Sequence, residues 1–227
     1  MPFDIPDQEK VDKFLPPFQP DYALNTEEPA NLNTVTLPDV RMDVQGEIAH
    51  GYMEIRYLLH EEMRLSLAVA AEGEKRFADI FGRGGDPYLE PYLCDDAEYI
   101  ALGLGSMTYQ LRVSVDTLRK EGIKVGVMGV RFYRPFPDEA IANALKGKKG
   151  VIVYEKALSY GYEGALVSDL KSALYEYLAG TGNLPVVQNF IAGIGGRDIR
   201  TDDLTKTLRD ATRGRVSIQP VWIGLKL

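Results

Sequence analysis

Between residues 99 and 223, short apolar runs alternate with longer stretches in which apolar residues recur every three or four positions. The runs at 99–104, 125–132, 151–155, 185–191 and 218–223 predict strands. The stretches at 107–121, 138–146, 162–178 and 202–212 predict helices. Strands alternating with helices predict an α/β three-layer sandwich around a mostly parallel sheet of about five strands. Ile100-Ala101-Leu102 and Val151-Ile152-Val153 are apolar without interruption, which suits strands covered on both faces.

Upstream, the period changes. From 51 to about 74, Tyr52, Ile55, Leu58, Leu59, Met63, Leu67, Ala70 and Ala71 recur at steps of three and four, predicting a long helix. His60, Glu61, Glu62 and Arg64 take its polar side. A Gly/Pro-rich connector at 81–91 predicts a linker, so residues 1–80 and 92–227 are expected to form separate parts. Seven of the 13 prolines fall between residues 2 and 38, which argues against regular helix or central strand there and predicts an extended arm. Phe14, Leu15, Phe18 and Tyr22 give the arm apolar anchors, unlike the composition of free disorder, so it is expected to pack, with a partner chain the favoured surface.

Composition narrows the function classes. The net charge of −7 offers no broad cationic face, so no nucleic-acid partner is expected. The basic run Lys146-Gly147-Lys148-Lys149 reads as a solvated turn. No apolar run approaches the ~20 residues of a membrane span, and Met1-Pro2-Phe3-Asp4 has no secretory pattern, so a cytoplasmic location is expected. A single cysteine, Cys94, excludes an intrachain disulfide and any iron–sulfur cluster held by this chain alone. With only His50 and His60 as histidines, a self-contained zinc site is not expected, and His60 reads as a surface residue.

The most distinctive stretch is 126–137, where a strand pattern runs into Arg131, Phe132, Tyr133, Arg134, Pro135, Phe136 and Pro137 before the acidic helix start Asp138-Glu139. Functional groups gather at the carboxyl ends of strands in open α/β sheets, which places Arg131 and Arg134 near a sheet edge or subunit contact. Gly193-Ile194-Gly195-Gly196-Arg197-Asp198 permits positive φ or close approach of another chain, with Arg197 and Asp198 as a local ion pair or a polar clamp on a neighbouring domain. Gly103-Leu104-Gly105-Ser106 stands where a phosphate would meet free amides, but Thr108 occupies the third glycine position, favouring a plain tight turn. Glu155-Lys156, at the end of a strand, is the charged pair best placed for catalysis, although nothing converges on it. Asp95 and Asp96 beside Cys94 oppose its use as a nucleophile. Thr201-Asp202-Asp203 reads as a helix start, and Tyr160 and Tyr162 as contact residues. These residues assemble no complete active site, so no catalytic, cofactor-binding or metal-ligating position is assigned.

Seven segments carry a resemblance: Val11-Asp12-Lys13-Phe14-Leu15-Pro16-Pro17, Met53-Glu54-Ile55-Arg56-Tyr57, Phe81-Gly82-Arg83, Asp96-Ala97-Glu98, Gly105-Ser106, Arg134-Pro135-Phe136-Pro137 and Gly195-Gly196-Arg197-Asp198. In this order they resemble the alpha part of the 2-oxoacid:ferredoxin oxidoreductases, the pyruvate:ferredoxin oxidoreductase family. The resemblance implies that residues from about 88 to 227 form the family's second domain, akin to the transketolase C-terminal domain. Residues 1 to about 80 would be the tail of its first domain, a pyrimidine-binding thiamine module. It further implies an assembly that decarboxylates a 2-oxoacid such as pyruvate oxidatively. Thiamine diphosphate, Mg and 4Fe-4S clusters would serve it, with coenzyme A taking the acyl group and ferredoxin the electrons. The front of the thiamine module would lie upstream of Met1, and the chain lacks Gly-Asp-Gly and cluster cysteines. The chain is therefore expected to bind none of these cofactors alone, to be inactive in isolation, and to work with thiamine- and cluster-bearing subunits. Arg134 and Arg197, with their loops, would fix subunit contacts. Two other readings remain open on the residues: a free-standing nucleotide or flavin binder using the Gly103–Ser106 turn, and a scaffold with no redox assembly.

Overall fold

The computed structural model describes residues 5–17, 41–42, 48–50, 52–214 and 217–226. The chain divides into two units, Met1–Gly85 and Asp86–Leu227.

In the first unit, α1 (Gln8–Phe14) precedes a two-stranded antiparallel pair, β1 (Arg41–Met42) and β2 (Ile48–His50), and the 30-residue α2 (Tyr52–Phe81). α2 runs past the expected end near 74 because Glu74 to Phe81 contains neither glycine nor proline. It stops where Gly82 takes φ +67° and donates its N–H to the Ala78 carbonyl at 2.8 Å. The opening does contain regular helix, contrary to expectation, since nine proline-free residues separate Pro6 from Pro16. Phe14 meets Phe77 and Phe81 edge-on, with ring centroids 5.4 and 5.8 Å apart. Arg76 donates to the carbonyls of Lys13 and Phe14 at 3.0 and 3.1 Å, satisfying acceptors that the end of α1 leaves free. The anchor Phe14, expected to meet a partner, is thus taken up by the chain's own helix. Residues 18–40 of the expected arm lie outside the described residues.

The second unit runs β3 (Leu89–Tyr92), β4 (Tyr99–Leu104), α3 (Ser106–Lys120), β5 (Val125–Val130), α4 (Asp138–Leu145), β6 (Gly150–Glu155), α5 (Ala165–Leu178), β7 (Val186–Ile191), α6 (Thr201–Thr212) and β8 (Val221–Trp222). These strands form one six-stranded sheet in the order β3-β5-β4-β6-β7-β8, parallel except for β3. β3 is the strand that the sequence pattern hid inside the 81–91 connector. Asp86 starts it by accepting the N–H groups of Tyr88 and Leu89, both at 2.8 Å. Pro91 is tolerated because β3 is an edge strand paired only with β5.

Side chains alternate across the sheet and build two cores. Ile100, Leu102, Met128, Val130, Val151 and Val153 pack against α4 and α5. Ala101, Val125, Val127, Ile152 and Tyr154 pack against α3 and α6 on the other face. Both faces are closed, as the uninterrupted apolar runs require. Tyr154 is fully buried, stacked on Phe190 at 5.1 Å, with its hydroxyl 3.1 Å from that of Thr207.

Candidate functional site

The chain leaves β4 for β5 on one side of the sheet and then crosses to β6 on the other. That reversal opens a crevice beyond the carboxyl ends of β4 and β6, where ligands of open α/β sheets bind. A cavity of about 260 Å³ lies there, lined by Leu104, Met107, Tyr133, Glu155, Lys156 and Leu166 among others. It falls short of the roughly 300–1,000 Å³ of most small-molecule sites.

Glu155, which ends β6, does not serve this crevice. Its Oε2 accepts the Leu166 N–H at 2.9 Å, and its Oε1 accepts the Val167 N–H at 3.3 Å and Asn189 Nδ2 at 2.8 Å. Asn189 Oδ1 in turn accepts the Gly164 N–H at 3.1 Å. A carboxylate carried by a strand thereby caps α5 where Gly164, at the N-cap position, has no side chain to do so. Burial pushes the Glu155 carboxyl above its ordinary value, while the amides of Leu166 and Val167 and the Asn189 side chain pull it back. Lys156, at the rim of the crevice, reaches toward the loop after β7, its Cε 3.3 Å from where a Cβ on Gly193 would sit. The expected Glu155-Lys156 pair is therefore a helix cap beside an exposed lysine, not an acid–base couple.

The Gly103–Ser106 turn is shaped by conformation. Gly105 holds φ +55° and ψ −136°, which a side chain resists, and Thr108 returns both its N–H and its hydroxyl to the Gly105 carbonyl, at 3.1 and 2.8 Å.

The loop after β5 folds back on its own unit. The Arg131 N–H donates to the Tyr88 carbonyl at 2.8 Å, and its Nη1 to the Asp86 carbonyl at 2.6 Å. Arg134 stacks over Tyr133 at 4.2 Å and pairs with Asp169 of α5 at 2.8 Å. The Arg134-Pro135 peptide is cis. Phe136 turns inward with Tyr133 onto the core beneath α4 and α5, and Pro137 is the residue before α4, its carbonyl accepting the Ile141 N–H at 2.9 Å. The second loop, after β7, bends through Gly195 at φ +66° and Gly196 at φ +77°. Arg197 lines a cavity of about 150 Å³ with Ile191, Gly193, Ile194, Trp222 and Gly224. Arg197 and Asp198 are both exposed and form no ion pair with each other. The two loops lie beyond different strands of the same sheet edge.

Other expectations change in detail. Cys94 has a raised thiol pKa, mainly through burial, with Asp95 a smaller contribution. The run 146–149 is not simply solvated: Lys148 Nζ bridges the carbonyls of Cys94 and Ala97, both at 2.8 Å, and Lys149 pairs with Glu98 at 2.5 Å. Tyr160 and Tyr162 are exposed and precede α5 rather than starting it. Reasoning from sequence missed Asn189, Asp169 and the buried Glu163, which pairs with Lys171. Among the described residues no group of three or more His, Cys, Asp or Glu side chains could hold a metal ion.

Residues 97–204 match the family model of the pyruvate:ferredoxin oxidoreductase core domain II. The pyruvate synthase subunit PorA of Methanothermobacter thermautotrophicus is 36% identical over 225 residues, which are 99% of this chain and 53% of that protein. The ketoisovalerate oxidoreductase subunit VorA of Pyrococcus abyssi is 34% identical over 227 residues, 96% of this chain and 53% of its own. The chain thus spans about half the length of the curated relatives it matches. Among solved structures, a 2-oxoglutarate:ferredoxin oxidoreductase from Magnetococcus marinus matches 76% of this chain and 26% of its own, with 16% identity and a TM-score of 0.43. The second unit thus contains a region that matches core domain II of the pyruvate:ferredoxin oxidoreductases, and the chain as a whole is similar to one half of the PorA and VorA subunits.

Proposed function

We propose that this chain is one subunit of a cytoplasmic 2-oxoacid:ferredoxin oxidoreductase that decarboxylates its substrate oxidatively and passes the acyl group to coenzyme A. The similarity to PorA and VorA subunits along nearly the whole chain carries this reading. Those relatives are named for pyruvate and for ketoisovalerate, both 2-oxoacids, so the substrate class follows more firmly than the substrate. No helix among the described residues is long and apolar enough to cross a membrane.

Thiamine diphosphate, Mg and 4Fe-4S clusters belong, in this reading, to partner chains. The described residues do not fit the thiamine group. Glu155, the buried carboxylate at the crevice, has both oxygens committed to α5 and Asn189, leaving none to polarise a bound ring. The contribution of this chain is positioning, which can supply a large share of a catalytic barrier. Residues 92–227 act as the buttressing domain, and residues 1–80 as the tail of a neighbouring thiamine module. The Arg131–Pro137 and Gly195–Asp198 loops, displayed at one edge of the sheet, meet the neighbouring subunits.

The test is reconstitution. The chain is combined with thiamine- and cluster-bearing chains of its own source, and 2-oxoacid-dependent reduction of ferredoxin or a viologen is followed. Activity is expected only when this chain and its partners are all present. Oxidation of a 2-oxoacid by the isolated chain, or full activity of the partners without it, would overturn the proposal.

A further inference from the structure

The crevice beyond β4 and β6 is walled for an apolar guest. Leu104, Met107, Tyr133, Ala157, Ala165 and Leu166 line about 260 Å³ of space. Water held there would find few polar partners, since aliphatic and ring carbons make up most of the wall. A cavity of about 150 Å³ with apolar walls stays dry and takes up benzene. Scaled by volume, this crevice has room for about ten non-hydrogen atoms. That is too little for a nucleotide or a flavin and ample for a small organic acid.

Polar groups on the wall narrow the class. Both oxygens of Glu155 are taken by the N–H groups of Leu166, Val167 and Asn189. The Tyr133 hydroxyl is engaged by Asp169, and the Tyr154 hydroxyl lies 3.1 Å from that of Thr207. Lys156 differs: it stands exposed at the rim, and among the described residues its ammonium has no hydrogen-bond or ion-pair partner. Apolar lining with one free polar group at a fixed place is how small-molecule sites orient a ligand.

We propose that the crevice binds a small monocarboxylate. Its apolar tail lies among Leu104, Met107 and Leu166, and its carboxylate pairs with Lys156 at the mouth. The Lys156 side chain rests against the Gly193 loop and swings across the mouth by rotamer changes alone, on the picosecond-to-nanosecond scale of exposed side chains. One lysine matches one negative charge, whereas a phosphate dianion calls for several convergent donors. Ala157 and Ala165 keep the room open where larger side chains would fill it. Such binding is a property of this chain alone and is independent of the assembly proposed above.

The full chain, isotopically labelled, is titrated with sodium benzoate against matched sodium chloride while its amide resonances are followed. Benzyl alcohol, of nearly the same size but uncharged, is titrated in parallel. Shifts are expected at Leu104, Met107, Ala157, Ala165 and Leu166, with half-saturation by benzoate at about 3 mM or below. Benzyl alcohol should bind about threefold more weakly or worse. Lys156→Gln should erase that difference by bringing benzoate down to the level of the alcohol, at no cost to the fold because the side chain is exposed. Ala165→Leu should weaken both ligands by about tenfold or more, since the added carbons occupy the crevice. Should Ala165→Leu disturb the fold, the Lys156→Gln comparison still decides. The proposal is overturned if benzoate moves none of these resonances at about 30 mM, or moves only others. It is also overturned if benzoate and benzyl alcohol bind alike, or if Lys156→Gln leaves benzoate binding unchanged. Displacement of benzoate on adding the thiamine- and cluster-bearing chains would give the crevice to a neighbouring subunit's side chain, and would overturn it as well.

Discussion

Gly164 is glycine because Glu155 occupies the place of its side chain. Its φ of −66° and ψ of 153° suit any residue, so Gly164→Ala carries no backbone strain. The added Cβ would instead fall 1.8 Å from Glu155 Oε1 and 2.0 Å from Cδ, which forces the carboxylate out. Its bonds to Leu166, Val167 and Asn189 go with it. Loss of a helix cap costs about 1 kcal/mol and each hydrogen bond to a charged group about 1.5–3 kcal/mol, partly returned because the carboxylate escapes burial. A loss of about 3 kcal/mol is expected for Gly164→Ala, and a similar loss for Glu155→Ala. The double variant should be no worse than either, at about 3 rather than 6 kcal/mol, since the new methyl fills space that the carboxylate has vacated. Urea denaturation followed by circular dichroism measures all four proteins, and each single variant should melt roughly 6–12 °C lower. A double variant whose loss equals the sum of the singles within about 0.5 kcal/mol would refute the argument, as would a Gly164→Ala protein of unchanged stability.

Four further predictions concern the same unit. Hydrogen bonds from Arg119, Lys149 and Arg209 hold Asp96, Glu98 and Glu121 below the ordinary carboxylate range. Such groups stabilise fully above their unfolded value of about 4 and lose that contribution as pH falls through the folded one; the urea midpoint should drop from pH 5 to 3, less steeply in Glu121→Gln, and a flat profile would contradict this. Glu155 runs the other way, since burial raises it: stability erodes as pH climbs from the unfolded value to the folded one, and Glu155→Gln should remove that slope. Cys94, buried with its thiol directed at the Val127 carbonyl 3.0 Å away, should resist a disulfide reagent at pH 8 until the protein is unfolded, and rapid labelling of the native chain would count against its burial. Gly126→Ala should cost about 3 kcal/mol or more, or prevent folding, because the added Cβ would stand 2.5 Å from the Leu93 carbonyl oxygen and 2.9 Å from its carbon, which no rotamer change relieves; a wild-type urea midpoint would exclude the clash.

The parallel core was legible because β4 and β6 are closed on both faces, and burial on both faces writes itself as uninterrupted apolar residues. β3 was not legible. Leu89-Glu90-Pro91-Tyr92 is an edge strand in which a proline and a glutamate are harmless, so its composition matches the connector that precedes it. α1 was hidden by counting prolines without noting the gap between Pro6 and Pro16. The role of Glu155 could not be read locally, since the groups it binds stand 11, 12 and 34 positions away and meet only when β6, α5 and β7 are assembled. Arg131 and Arg134 stood out in the sequence by their place where a strand pattern runs into prolines. Their partners, the Asp86 carbonyl and Asp169, are again set by the tertiary fold.

α2 shows where periodicity runs out. A period of 3.6 identifies which residues of a helix avoid water but not what shields them. Leu58, Leu59 and Met63 satisfy the helical pattern whether their cover is the same chain or another, so the pattern alone supports both outcomes. Among the described residues these three stay 60, 48 and 38% exposed, while Phe77 and Phe81 nearby are packed. An apolar helix without a core should be costly in a free protein, because each fully buried leucine or methionine is worth about 1.5–3 kcal/mol relative to its exposed state. The isolated chain should accordingly expose amides in 53–71 to exchange faster than those of β4 and β6. Equal protection across the two units in the free chain would show that the helix needs no partner to be stable.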